Sequence, residues 1–445
     1  MRLDLDADAK RSSVEIETVR ALARRYANSP RAAVYGRLGL CRGKYGTLTN
    51  FLATALDLVG GKFGVRGGTV FGYPVLAGQG GSGADAYGDH RTRIGDLPAI
   101  AGYLPSVAMQ DDILEPGKGQ VKALFVTAGN PVLSAPGSAR LREALSSLDL
   151  LVSFDLYLTE TARKAHYVLP TTTFLERGDF PHLGMGVLGR PFLQFSDAVV
   201  PPVGQAREEY TIYQDIIRCA GLEWPKRPVG DQGGQANEPL ERIGHKLRAG
   251  PAGDAFGERD GWSIDRLRGH RHGVMVTLAH PADDWRSRIA YPDRKVRLWH
   301  TLIEDEFIRL GRSSAVLPKL ALIGRRNIKS LNCWMHNVER LSRSQYPRLL
   351  ICSEDADRHS LKNGDRARLT SEAGRVEVEV EISDEMTPGT VSYPHGWGHA
   401  GGWRAANLTP GDNVNTLVGD GPDNVEMVSG STILDGFEVF IEAVG

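Results

Sequence analysis

The stretch from 121 to 170 constrains the fold more than any other part of this chain. Val121-Lys122-Ala123-Leu124-Phe125-Val126 is a short apolar run of buried-strand type, closed by Gly129-Asn130-Pro131. Ala139 to Leu148 then has the apolar spacing of a short amphipathic helix. Leu150-Leu151-Val152-Ser153-Phe154 gives a second strand ending at Asp155. A further helix is expected to start near Thr159-Glu160, and Tyr167-Val168-Leu169-Pro170 reads as a third strand. Parallel neighbours need a crossover, which a helix supplies, so strand–helix–strand–helix–strand with short loops predicts a parallel α/β sheet.

Upstream, Ser12 and Glu15 have capping-box spacing for a helix carrying Ile16, Val19, Leu22, Ala23 and Tyr26, stopped by Asn28-Ser29-Pro30. Ala32-Ala33-Val34-Tyr35 reads as a short buried strand running into the turn Gly36-Arg37-Leu38-Gly39. A second helix, from about Thr47 to Val59, ends at Gly60-Gly61 as a glycine cap would end it. From Gly72 to Gly119 the chain is glycine-rich and irregular, and a helix is expected from Glu208 to Cys219. These elements predict an α/β domain over residues 1–222. The following segment is polar, Gly/Pro-interrupted and weakly periodic, so 223–315 reads as a linker or irregular insertion.

Beyond 316 the chain turns to β. Arg348 to Cys352, Arg366 to Thr370 and Val376 to Ile382 read as strands. In the last, Val376, Val378, Val380 and Ile382 share one face and Glu377, Glu379 and Glu381 the other. Turns at Gly364-Asp365 and Ala373-Gly374 complete the reading of a closed β-barrel over 316–445.

Charge excludes one class of partner. Lys and Arg number 53 against 54 Asp and Glu, with no basic block, so neither nucleic acid nor a membrane surface is expected as a partner. No run approaches the ~18 apolar residues of a membrane span. The opening Met-Arg-Leu-Asp-Leu-Asp-Ala-Asp lacks the apolar core of a secretory signal. Cys41, Cys219, Cys333 and Cys352 form no CxxC pair, which gives no local iron–sulfur or zinc motif and leads us to expect a reducing, cytoplasmic compartment. His270/His272 and His395/His399 invite a zinc reading. However, HxxxH brings two imidazoles to one side only on a helix, and His395-Gly396-Trp397-Gly398 is not helical. No metal site is expected. The 52 glycines cluster at Gly60-Gly61, Gly67-Gly68, Gly78-Gln79-Gly80-Gly81 and Gly401-Gly402, where backbone can approach a large ligand closely.

Open α/β sheets bind ligands outside the carboxyl ends of their strands. Two such ends carry Gly129-Asn130-Pro131 and Asp155. The first can present backbone N–H groups to a phosphate, and the second can accept paired donors from a ribose or a guanine edge. A plain turn and a helix cap are the alternatives. No GxGxxG follows the first strand, against a standard nicotinamide site.

The motifs ALFVTAGNP and LVSFDLYLTETARKAHYVLPTTTFLERGDF resemble the molybdopterin-dinucleotide oxidoreductases of the dimethyl sulfoxide reductase family, which includes formate dehydrogenases and nitrate reductases. AAVYGRLGLCRGKYGTLTNFL and GVRGGTVF resemble an earlier segment of that family. LIGRRNIKSLNCWMHN, EDADRHSLKNGDRARL, GDNVNTLV and SGSTILDGFEVFIE resemble its cofactor-binding barrel. The likeness spans nearly the whole chain, in the family's order. It implies a Rossmann-like sheet followed by a barrel of double-psi type. The implied cofactor is a molybdenum bis(molybdopterin guanine dinucleotide), used for two-electron or oxygen-atom transfer on a small-molecule substrate.

The same resemblance implies cofactor contacts. Tyr35, Arg37 and Gly39 fall where the family's strand and turn approach one dinucleotide, and Asn130, Asp155, Arg177 and Glu209 match contacting positions of the α/β domain. Gly324, Arg325, Arg326, Asn332, Trp334, His336 and Asn337 match the first barrel strand and its loop, beside the second dinucleotide. His395 and Asn415 match later barrel loops. Arginine forks suit pyrophosphate, and amides suit pterin or guanine edges. One position departs from the family: Ala165-His166 stands where Ala-Asp is common, and a neutral imidazole replaces an acceptor without its charge. The chain opens into the region that follows the family's iron–sulfur domain and molybdenum-ligand segment. The expectation is therefore a chain without an iron–sulfur cluster or a protein ligand to molybdenum, with no catalytic residue assigned. Turnover would then need an N-terminal half or subunit. The alternatives are a non-catalytic cofactor-binding module or a truncated inactive product.

Overall fold

A computed structural model of the chain describes residues 5–12, 14–78, 87–182, 189–223, 228–229, 234–235, 238–313, 319–343 and 345–444. Strands β1 (Ala123–Thr127), β2 (Leu150–Asp155) and β3 (Tyr167–Pro170) form a three-stranded sheet in that order. Both pairings are parallel, as the sequence predicts. Successive side chains of a strand point to opposite faces, and central β2 uses both for packing. Leu151 packs with Val126, Ile113, Leu141 and Leu145, the last two from helix Ser138–Ser146. Val152 and Phe154 face the other way, against Ile212, Tyr213 and Ile216 of helix Glu209–Cys219. The Phe154 and Tyr213 rings stack there with centroids 4.7 Å apart. His166 supplies the acceptor its position needs: its Nδ1 takes the backbone N–H of Leu151 at 2.9 Å.

The C-terminal sheet has seven strands: β4 (Ala321–Arg325), β5 (Arg348–Ile351), β6 (Arg366–Thr370), β7 (Arg375–Ile382), β8 (Thr390–Pro394), β9 (Phe437–Glu438) and β10 (Phe440–Ala443). Their order is β9-β4-β8-β5-β7-β6-β10. The β4/β8 and β5/β7 pairings are parallel and the other four antiparallel. The edge strands β9 and β10 are separated only by Val439, so the sheet must curl until its two edges meet. Val376, Val378 and Val380 point into the enclosed core with Leu349, Ile351, Leu369 and Tyr393, as the alternation of β7 predicts.

Several expectations are corrected. Ser12 does not cap the helix Ile16–Asn28; it ends a separate helix, Leu5–Ser12, where its hydroxyl donates to the carbonyl of Ala9. Glu15 takes the cap position, and the helix it begins buries none of its residues. Residues 32–35 form no strand, and Tyr35 is 79% exposed. Thr159-Glu160 start no helix, only a single 3-10 turn at Ala162–Lys164. The segment read as a linker or irregular insertion carries helices Pro239–Ala249, Ile264–Arg268 and Thr301–Arg312. Leu247, Leu267 and Val276 share a core with Val75, Leu76, Phe180, Leu193 and Phe195. That core draws on partners far apart in sequence, and only Leu240, Ile243 and Leu247, at helical spacing, signal it locally. Part of the glycine run at 78–81 lies outside the described residues.

Candidate functional site

The carboxyl ends of β1 and β2 face the loops that follow β4 and β8. At the end of β1, Asn130 turns inward: its Nδ2 donates to Glu160 Oε2 at 2.6 Å, and its Oδ1 accepts from Thr161 N and Oγ1 at 3.2 and 2.8 Å. At the end of β2, Asp155 Oδ1 accepts the backbone N–H groups of Leu156 and Tyr157 at 2.7 and 3.2 Å. Its Oδ2 takes no hydrogen bond among the described residues, and burial holds its pKa above the ordinary carboxylate value. One oxygen is thus tied into a turn of the backbone that follows, with no helix to cap, and the other is left as a free acceptor. Cys333, in the loop after β4, has its thiol pushed up to about 11 by burial, with the carboxylates of Glu160 and Asp155 adding to the shift.

Three more contacts join the layers. His399 Nδ1 lies 3.0 Å from Glu160 Oε1, which also accepts Ala400 N at 3.1 Å. His399 Nε2 lies 3.0 Å from Nδ1 of the fully buried His336. Asn415 Nδ2 donates to the carbonyl of Leu133 at 2.7 Å, in the short helix that follows Asn130. Burial of Glu160 opposes its ionisation, but the His399 hydrogen bond and charge outweigh it and hold the carboxyl down to about 2.

A cationic group lies at the end of β4. Arg42 is buried, 3.4 Å from Asp435, whose Oδ1 already accepts Gly324 N at 2.7 Å. A Cβ on Gly324 would fall 2.7 Å from Arg42 Nη2, so only glycine lets the guanidinium lie against the strand. Arg326 and His395 complete the group. Burial lowers the pKa of Arg326, with Arg42 adding repulsion, and pushes His395 down to about 4, with Arg326 and Arg42 contributing. Two guanidinium groups beside one carboxylate leave an excess positive charge suited to a diphosphate.

Other residues anticipated from the sequence make contacts of their own. Arg325 turns into the barrel, where its guanidinium donates to the carbonyls of Ser392 and Arg348 at 2.7 and 2.6 Å. Arg177 pairs with Glu209 at 2.8 Å. Tyr35 and Arg37 lie together on the surface, the guanidinium carbon 5.7 Å from the ring centroid, and a Cβ on neighbouring Gly39 would meet nothing within 4 Å. Trp334 is 63% exposed. Asn337 Oδ1 accepts Ala406 N at 3.0 Å, and Asn332 takes a positive φ of 60° against Gly396. Sequence reasoning missed Arg42, Glu160 and His399. Glu160 lies inside the TETA motif but was read as a helix start, and His399 was weighed only as a zinc ligand.

Buried polar atoms show what the site needs. Arg42 Nε, His336 Nε2 and Trp397 Nε1 are buried without a partner among the described residues, and such groups are costly unless a ligand or water satisfies them. Arg42 Nε, within the cationic group, is a free donor for a large anion, and the free Asp155 oxygen is an acceptor for that ligand's own donors. Among the described residues no group of three or more His, Cys, Asp or Glu side chains could hold a metal ion. No helix among them is long and apolar enough to cross a membrane.

The carboxyl ends of a parallel sheet thus face the loops of a curled β-sheet that carries a buried cationic group. Residues 23–218 match the molybdopterin oxidoreductase model and residues 320–431 the molydopterin dinucleotide binding domain model. The chain is 22% identical over 436 residues to the probable oxidoreductase YyaE of Bacillus subtilis, and 25% identical over 453 residues to the assimilatory nitrate reductase catalytic subunit of the same organism. Those alignments cover 96% and 95% of this chain but 60% and 59% of the relatives, so it spans well under two thirds of their length. Acetylene hydratase from Pelobacter acetylenicus shares the fold, with a TM-score of 0.73 at 20% identity over 99% of this chain and 64% of that one. The chain belongs to the molybdopterin oxidoreductases of the dimethyl sulfoxide reductase family.

Proposed function

We propose that this chain is the dinucleotide-clamping part of a molybdenum oxidoreductase that carries a bis(molybdopterin guanine dinucleotide) and transfers two electrons or an oxygen atom to or from a small substrate. The observation that carries this reading is the contact of the sheet's carboxyl-end loops with the C-terminal loops, Glu160 with His399 and Leu133 with Asn415, inside the two segments that match the family. Bound, the cofactor would supply the redox-active metal; this chain's residues bind and orient its tails. Arg42, Arg326 and His395 suit a diphosphate, and Asp155 suits ribose hydroxyls or a guanine edge. We read the curled sheet as a double-psi barrel, because two parallel pairs lie inside an otherwise antiparallel closure.

On this reading an N-terminal half or subunit bearing an iron–sulfur cluster and the protein ligand to molybdenum completes the enzyme, which works in the cytoplasm. The test is to purify the chain from a molybdenum-replete host and measure molybdenum and the guanine released by acid. Dye-linked formate oxidation and nitrate reduction are then assayed with and without the N-terminal part of a relative. Two guanines per molybdenum, with turnover only when the N-terminal part is present, are expected. A chain free of guanine would defeat the cofactor reading, and sustained turnover by the chain alone would defeat the split.

A further inference from the structure

Glu160 and His399 come from opposite layers, and their side chains are 5% and 6% exposed. The chemistry of the groups fixes the hydrogens along Glu160–His399–His336. A carboxylate only accepts, so His399 Nδ1 carries a hydrogen. While His399 is neutral its Nε2 accepts, His336 Nδ1 donates, and His336 Nε2 is a bare lone pair. Adding a proton to His399 Nε2 inverts the second link: His336 Nδ1 then accepts and its Nε2 carries the hydrogen.

We propose that Glu160, His399 and His336 form a one-proton store whose port is His336 Nε2. A proton from a water or hydroxyl group seated at that atom forms an N–H bond there. The N–H bond at His336 Nδ1 breaks, and its proton joins His399 Nε2. The donor is left one proton poorer, His336 is neutral in its other tautomer, and the charge rests on a His399 imidazolium beside the Glu160 carboxylate. No electron moves, and the reverse step returns the proton.

A second observation marks the port. Trp397 Nε1 is buried without an acceptor among the described residues, and its ring lies 4.4 Å from that of His336, whose Nε2 is equally unpartnered. A water or hydroxyl can accept from an indole N–H and still exchange a proton with an imidazole. His336 suits a conduit that never holds the charge: burial, then the neighbouring His399, pushes it down to about 4. The other titratable or charged groups nearby are Cys333, kept as a thiol, Asp155, and Arg163 beside Gly401. The geometry belongs to the chain itself and stands apart from the cofactor reading. Only its use, holding a proton that accompanies electron transfer, rests on that reading.

The test is long-range 15N–1H spectroscopy on cofactor-free chain labelled at histidine, from pH 8 to 5, with His336→Gln and His399→Gln for assignment. His336 should carry its hydrogen on Nδ1 at high pH and shift it to Nε2 in the same one-proton transition that charges His399. Glu160→Gln keeps an acceptor for His399 but removes the charge, and should weaken that proton's binding at least tenfold. In His399→Gln, His336 should keep a single tautomer throughout. Independent titration of the two rings, or a transition unmoved by Glu160→Gln, would overturn the store and leave only a structural seam. If Glu160→Gln does not fold, the His399→Gln spectrum decides: a His336 tautomer that still switches would overturn it.

Discussion

Asn415 Nδ2 donates to the carbonyl of Leu133 at 2.7 Å, so a barrel loop holds the short helix that follows the end of β1. Asn415 is 1% exposed, so the bond is shielded from bulk solvent. Asn415→Ala should therefore leave a buried carbonyl unpaired, at a cost of about 1–3 kcal/mol. Urea unfolding should show a lower midpoint with an unchanged slope. An unchanged midpoint would mean that the loop is not held there.

Asp155→Asn separates the two oxygens of that carboxylate. The amide oxygen can still accept from Leu156 and Tyr157, so stability should change by less than about 0.5 kcal/mol. The free acceptor becomes a donor, and donors of a bound guanine or ribose lose their partner. Retention of acid-releasable guanine at limiting cofactor should fall roughly ten- to hundredfold. Equal retention in wild type and variant would remove Asp155 from the site.

Neighbouring arginines should behave oppositely. Arg325 satisfies two barrel carbonyls, and Arg325→Met should destabilise the fold by about 2–4 kcal/mol. Arg326→Met should leave the melting temperature nearly unchanged while weakening pyrophosphate binding and flattening its dependence on salt. Calorimetry of both variants distinguishes the roles, and matching profiles would contradict the assignment.

Acid should loosen the fold before the carboxylates titrate. His336 and His395 are held down to about 4, against 6.5 for an ordinary imidazole. Between those values the unfolded chain binds up to two protons more than the folded one. Stability is then full above pH 6.5 and falls as pH drops towards 4. Glu160, held down to about 2, adds its loss only below the usual carboxylate range. Urea midpoints of the cofactor-free chain at pH 7, 6 and 5 should decline steadily, and a flat profile would show that these imidazoles are not desolvated.

How legible each feature was follows from how local its physics is. The β1–β2–β3 sheet and the inward valines of β7 were readable because a strand's own alternation and length record its burial. That Asp155 ends a strand was readable from the apolar run before it. Glu160 was not, since its acceptor role depends on His399, 239 residues away. Arg42 escaped notice because its burial depends on Gly324 having no side chain and on Asp435 closing the opposite side. The core around Leu247 and Val75 was hidden because its partners, from Val75 to Val276, lie in segments far apart in sequence, although Leu240, Ile243 and Leu247 have helical spacing within one of them.

The joining of β9 and β10 through Val439 bears on how the barrel is made during synthesis. Strand β6 is complete by residue 370, yet one of its two neighbours is not made until residues 440–443. Strand β4 likewise waits for residues 437–438. Until then the nascent sheet presents two bare edges, each a row of unpaired N–H and C=O groups able to recruit another chain. A single late segment of seven residues closes both, so a stalled or clipped chain lacking it would leave the ribosome as an open, adhesive sheet.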